Sequence, residues 1–151
     1  DSSLVLRKLA TSRRVLCASP AYLKRVGMPK VPAELTSHRL LNYTMPGRER
    51  WPFIDGSHTE YVPIQSQICA DQAEFLQELA RAGMGIVRLP EFDVWDDFAA
   101  GRLVPVLAQY TRPEAIYAVM RTRRNLSPRL RVFIDFIQKK LRDRAWNLSV
   151  R

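Results

Sequence analysis

The run "DQAEFLQELARAGMGIVRLPEFDVWDDFAAG", residues 71 to 101, limits the folds open to this chain more than any other stretch. It reads as helix, strand and helix with almost no linker between them. Phe75, Leu76, Leu79 and Ala80 share one face at a 3.6-residue period, a face expected to pack on a sheet. Asp71 followed by Glu74 predicts a capping box in its aspartate form. Gly83 supplies the left-handed residue that stops the helix. Gly85-Ile86-Val87 then begins a buried strand, and Pro90 opens the second helix. Helices joined this closely to strands call for an α/β sheet, at least partly parallel, with helices laid over it.

The remaining segments fit that class. "RRVLCASPAYLKRVG" (13 to 27) reads as a strand and a short helix, with Ser19 as N-cap, Pro20 at the first helical position and Gly27 as the stop. Pro32 opens one helical turn in "KVPAELTSHR". "RLLNYT" (39 to 44) is a buried strand that runs into the loop "MPGRER". "WPFID" and "TEYVPIQ" flank "GSH", which predicts a hairpin with a three- to four-residue turn. "RLVPVL" (102 to 107) is a short strand whose proline suits a sheet edge, and "AIYAVM" (115 to 120) is another strand. A second Ser-Pro, Ser127-Pro128, opens a helix over 128 to 144. Its apolar stripe is Leu130, Phe133, Ile134, Ile137 and Leu141.

The composition removes several functions. No apolar run approaches the ~20 residues that span a bilayer. The net charge of +9 is uneven: +7 over residues 1 to 50, −6 over 51 to 110 and +8 over 111 to 151. Without a helix-turn-helix, zinc-finger or stacking motif, the basic ends read as solvated faces and not as a DNA-reading surface. Cys17 and Cys69 lie in apolar strand-like runs without metal or redox spacing, so both are expected to be buried, reduced thiols. His38 and His58 read as exposed turn residues. Asp93, Asp96 and Asp97 read as solvent-facing groups on a helix. Gly83-Met84-Gly85 follows a helix and precedes a strand, the reverse of a phosphate-binding fingerprint. No catalytic constellation, metal site or cofactor is expected.

Two places suit a ligand, because α/β sheets bind molecules where loops leave the carboxyl ends of strands. They are "YTMPG" (43 to 47), and "CAD" (69 to 71) at the start of the helix. Asp71, as a cap, would occupy the helix amides there.

In order and spacing, "RRVLCASPAYLKRVGMPKVPAELTSHRLLNY", "WPF", "AEFLQELARAGMGIVRLPEFDVWDDFAAGRLVPVL" and "NLSPRLRVFIDFI" resemble the effector-binding domain of LysR-type transcriptional regulators. The resemblance runs from about Ser3 to Leu141. It implies a periplasmic-binding-protein type 2-like fold, with two α/β subdomains and an effector cleft between them. Residues 1–18 would be the end of the first subdomain and the first crossover strand. Residues 19–110 would be a complete second subdomain, and 111–151 the return strand and a C-terminal helix of the first. The earlier strands of the first subdomain, a winged helix-turn-helix and a dimerisation helix would lie before Asp1.

The cleft residues that the resemblance implies are Ser19, Thr44, Met45, Pro46, Ala70 and Asp71. The implied partners are a small-molecule effector, further copies in a dimer or tetramer paired partly through the helix 71 to 82, and DNA only through the missing N-terminal domain. A cytoplasmic, non-enzymatic sensor follows. The alternative is a periplasmic-type solute-binding protein, which shares the fold.

Overall fold

The structure, a computed structural model, describes residues 4–47, 49–121 and 127–143; for 142 and 143 only the backbone is described. The chain divides into two compact units, Arg13–Arg112 and Asp1–Ser12 with Pro113–Arg151. Strand β1 (Val5–Ala18) runs through both.

The unit 13–112 continues from β1 into α1 (Pro20–Val26), a 3₁₀ helix (Pro32–Ser37), β2 (Leu40–Tyr43), the hairpin β3 (Arg50–Asp55) and β4 (His58–Pro63), then β5 (Ile68–Ala70). After these come α2 (Ala73–Arg81), β6 (Ile86–Pro90), α3 (Glu91–Ala99) and β7 (Val104–Val106). The sheet order is β5-β2-β6-β1-β7. β2 is parallel to β5 and β6, whereas β1 is antiparallel to β6 and β7. α2 therefore carries the chain from β5 to β6 across β2, a parallel crossover of the kind the helix-strand spacing predicts. β7, with Pro105, is an edge strand, as expected.

Both faces of this sheet are covered. Val15, Cys17, Leu41, Val87 and Leu89 pack with Leu76 and Ala80 of α2 and Val94 of α3. On the other face Leu16, Ala18, Leu40 and Ile86 pack with Tyr22 and Leu23 of α1, Leu35, and Trp51, Phe53 and Val62 of the hairpin. Adjacent residues of β1 thus feed opposite cores, which is why the run "VLCA" is apolar throughout and does not alternate. Each large side chain buried this way contributes about 1.5–3 kcal/mol relative to exposure.

Two glycines are required by geometry. Gly83 has φ +74° directly after α2. A Cβ on Gly85 would stand 2.4 Å from the carbonyl oxygen of Arg39, the same oxygen that accepts the Ile86 N–H at 2.9 Å.

Several sequence expectations are corrected here. α2 begins at Ala73, with Gln72 as an N-cap that makes no side-chain bond, so the Asp71–Glu74 capping box does not form. The extended chain holds through Ala70, whose carbonyl accepts the Thr44 N–H, and Asp71 leaves the strand one residue too early to cap. Phe75 is 54% exposed; Leu76 and Ala80 face the sheet, and Phe75 lies just off that face. The hairpin pairs Asp55 with His58, leaving a two-residue turn in which Gly56 takes the positive φ such turns use. Cys17 is buried, but Cys69 is exposed on the edge strand β5. Burial, then the charge of Asp97, push the Cys17 thiol far above its ordinary pKa, which keeps it inert.

His38 is not a surface turn residue. It is buried, and its Nδ1 lies 3.2 Å from the Tyr22 hydroxyl. Asp97 is likewise fully buried. Its carboxylate accepts from Arg81 Nε at 2.8 and 2.9 Å, Arg102 Nε at 2.6 Å and Gln77 Nε2 at 2.7 Å, tying α3 to α2 and to the entry of β7. Burial alone would raise the Asp97 pKa; the hydrogen bonds from Arg81, Gln77 and Arg102 outweigh it and hold the pKa below the usual carboxylate value. Of the other two aspartates, Asp93 is half-buried and Asp96 exposed.

The second unit is simpler. β8 (Pro113–Met120) pairs with β1, and α4 (Pro128–Asp143) follows. Ser127 caps α4, its Oγ accepting the Leu130 N–H at 3.2 Å, so both Ser-Pro pairs open helices. Arg7 donates to Asp135 at 2.5 Å and to Gln138 at 2.9 Å, and Gln138 donates to the Lys8 carbonyl at 3.1 Å. Of the α4 stripe, Ile134 is buried, Ile137 and Leu141 are half-buried, and Leu130 and Phe133 are exposed. Residue 144, the last of the expected helix 128 to 144, lies outside the described residues.

Candidate functional site

The site is built from the carboxyl ends of β2 and β5. Leu41, Asn42 and Tyr43 pair in parallel with Ile68, Cys69 and Ala70. The Thr44 N–H extends this ladder by one bond, to the Ala70 carbonyl at 3.0 Å. That bond fixes the loop Thr44-Met45-Pro46 beside Ala70-Asp71. Thr44, Met45, Pro46 and Asp71 are exposed, and Ala70 is half-buried. Gly47, with φ +80°, turns the loop, and its N–H donates to Glu49 Oε1 at 3.1 Å.

Freed from capping, the Asp71 carboxylate makes no hydrogen bond or ion pair among the described residues, and it stands just before the first turn of α2. The edge therefore offers a hydroxyl, a carboxylate, a thioether and a proline ring.

Ser19 is elsewhere. It is buried as the N-cap of α1, its Oγ accepting the Tyr22 N–H at 3.3 Å. Cys17 pairs with Val87, and Val87 with Leu41. From that level Thr44 lies three residues one way and Ser19 two the other. Five residue steps along the strands amount to about 17 Å. Because β1 runs antiparallel to β6, its carboxyl end meets the amino ends of β2 and β6. The structure brings five of the six expected residues to one edge and leaves Ser19 at the opposite one.

Arg14 is a residue that the sequence did not single out. It pairs with Pro90, which places it at the same level as Thr44 and Asp71. Its electrostatic reach extends to Asp93 on α3. Burial, then the Glu74 carboxylate, raise the Asp93 pKa, and Arg14 partly offsets them. The signal lies in "RR" at 13 and 14, which a charge count over residues 1 to 50 merges with the solvated basic residues. No group of three or more His, Cys, Asp or Glu among the described residues could hold a metal. No helix among them is long and apolar enough to cross a membrane.

Against known proteins, residues 1–142 match the family described as the LysR substrate binding domain. The chain belongs to that family. It is 38% identical over 144 residues to the HTH-type transcriptional regulator CrgA of Neisseria meningitidis serogroup B, covering 93% of this chain and 48% of CrgA. It is 27% identical over 152 residues to the HTH-type transcriptional regulator DmlR of Escherichia coli, covering 98% and 49%. This LysR substrate-binding chain thus spans about half the length of the curated relatives it matches. The solved regulatory domain of CrgA superposes with a TM-score of 0.80 at 38% identity, over 93% of this chain and 70% of that one. Full-length AphB of Vibrio cholerae superposes with a TM-score of 0.78 at 27% identity, over 93% and 49%. The fold is accordingly the periplasmic-binding-protein type 2-like fold of LysR regulatory domains, as the sequence resemblance implies.

Proposed function

We propose that residues 13–112 are the second effector subdomain of a LysR-type transcriptional regulator, reading a small molecule at the carboxyl ends of β2 and β5. Thr44, Met45, Pro46, Ala70 and Asp71 are this half's contacts, with Arg14 as the nearby cation; Ser19 is not among them. The reading rests on the Thr44–Ala70 bond, which holds the hydroxyl, thioether and carboxylate together on an open edge. The effector binds one arrangement of the domain better than another and so shifts its population. DNA is gripped by a winged helix-turn-helix outside these 151 residues. The regulator works in the cytoplasm as a dimer or tetramer and turns over no substrate. The exposed Phe75 on α2 supports that helix as a pairing surface. All the relatives named above are regulators, and no observation favours a solute carrier.

The test uses the intact regulator with a reporter promoter and a panel of small acids and aromatics. Once a compound that changes expression is found, Thr44→Val and Asp71→Asn should each raise the half-maximal concentration about tenfold or more. That is the cost of about 1.4 kcal/mol of lost hydrogen bonding. If both variants respond like the parent while other residues abolish the response, the effector is read elsewhere.

A further inference from the structure

At the end of the 13–112 unit remote from Thr44, one hydroxyl joins three elements. Tyr22 of α1 is 2% exposed, and its Oη accepts the Arg39 N–H at 2.9 Å, just before β2. The same oxygen lies 3.2 Å from His38 Nδ1, and with the neutral ring protonated at Nε2 the hydroxyl proton is donated there. His38 follows the 3₁₀ helix Pro32–Ser37, and its own N–H closes that helix on the Leu35 carbonyl at 3.0 Å. His38 is 8% exposed and also lines a cavity of about 220 Å³ with Leu35, Leu40, Val62, Gln65 and Gln67. α1 is held by a second bond too, where Arg25 Nη2 donates to the Gly83 carbonyl at 3.0 Å, just beyond α2.

We propose that the Tyr22–His38 pair is a proton-operated latch: neutral His38 accepts from Tyr22 and holds α1 against the 3₁₀ helix and β2, and protonated His38 releases it. The reason is hydrogen-bond accounting. An imidazolium donates at both nitrogens. Its Nδ1–H would compete with Arg39 for the lone pairs of Tyr22, whose own proton would lose its acceptor. A buried cation would also need a partner.

The charged and titratable groups facing His38 among the described residues are few. α1 brings Tyr22, with the Arg25 guanidinium 5.6 Å over its ring. The 3₁₀ helix brings Glu34, already accepting the Lys30 N–H at 2.7 Å. β2 is preceded by Arg39, while Gln65 and Gln67 are uncharged. Burial lowers the His38 pKa, and Glu34 only partly offsets this.

The sign follows from linkage. With the folded pKa below the ordinary 6.5, the stability that neutral His38 provides is complete above 6.5 and is lost as pH falls through the folded value. Release frees α1, and through Arg25 it loosens the end of α2 at Gly83.

The test is an NMR titration of the 151-residue chain from pH 8 to 5, with His58→Asn to assign the second imidazole. His38 should titrate below 6.5, and the Arg39 and Gly83 amide signals should move with the same midpoint. Tyr22→Phe should uncouple the Arg39 amide from that midpoint. Should acid unfold the chain, urea denaturation at pH 7.5 and 5.5 reads the same latch. The wild-type unfolding constant should rise relative to that of His38→Gln by up to about tenfold per pH unit of depression in the folded midpoint. A His38 midpoint at or above 6.5, an Arg39 amide indifferent to it, or equal pH dependence in wild type and His38→Gln would each overturn the proposal.

Discussion

Phe53 and Phe133 are the same residue in two settings. Phe53, in the hairpin over the 13–112 sheet, is 2% exposed; Phe133, on α4, is 58% exposed. The contrast holds for their surroundings. The larger unit closes a core on each face of its sheet, with Cys17, Leu41, Leu76, Ile86, Val87 and Leu103 wholly buried. In the smaller unit Ser12 and Ile134 are the only buried side chains among the described residues. Leu4 just before β1 and Leu6 on it, Tyr117 and Val119 on β8, and Val132, Phe133 and Phe136 on α4 are all exposed. Hydrophobic burial is the main term set against conformational entropy. The 13–112 unit therefore carries the stability of this chain, and α4 is held by Ile134, its half-buried neighbours and the contacts of Arg7 and Gln138.

The largest expected effect tests that contrast directly. Phe53→Ala should cost about 3–5 kcal/mol in urea denaturation, the usual range for emptying a packed aromatic site. Phe133→Ala should stay within about 0.5 kcal/mol, as surface changes do. Comparable costs at the two positions would mean that α4 buries its stripe in solution, which would end the comparison.

A middle-sized effect lies at Asp97, whose buried carboxylate joins α2, α3 and the start of β7. Asp97→Asn keeps the shape and removes the charge from hydrogen bonds to two arginines. A loss of about 1.5–3 kcal/mol is expected at neutral pH, the range for hydrogen bonds to charged groups. Arg81 and Arg102 are partly exposed and can turn to water, which holds the cost below that of an enclosed pair. The folded pKa of Asp97 is lowered, so its contribution is full above the ordinary carboxylate value of 3.8 and disappears as pH falls through the folded value. Acid denaturation of the variant should lose that part of its pH dependence. An unchanged acid limb would show that other carboxylates govern it.

These sites also show what could be read from the chain. Helices and strands were legible wherever the period was local: the stripe of α4, the stop at Gly83, the Ser-Pro starts of α1 and α4. Asp97 was not, because its meaning comes from Arg81, sixteen residues earlier and on another helix. The burial of His38 is hidden for the same reason, since it depends on a tyrosine of α1. Asp71 failed by one position, because a ladder bond to Thr44 prolongs the extended chain. Arg14 is hidden because charge counts over a block of residues say nothing about which end of a sheet a residue reaches.

The smallest effect bears on the site and on the direction of β1. Nothing local in "LCASPAYL" reveals whether Ala18 arrives at the carboxyl or the amino ends of its neighbours, for that follows from antiparallel pairing with Arg88, Leu89 and Pro90, some seventy residues later. The pairing puts Ser19 with Gly83 and Tyr22, about 17 Å from Thr44. Its hydroxyl then has a structural task, receiving the Tyr22 N–H at the start of α1. Ser19→Ala should therefore cost about 1 kcal/mol of stability, as lost N-caps do. It should leave the concentration dependence of the effector response where Thr44→Val shifts it. A Ser19→Ala regulator with native stability and a shifted response would place the serine in the ligand site after all. That result would also require β1 to run parallel to β6, not antiparallel to it.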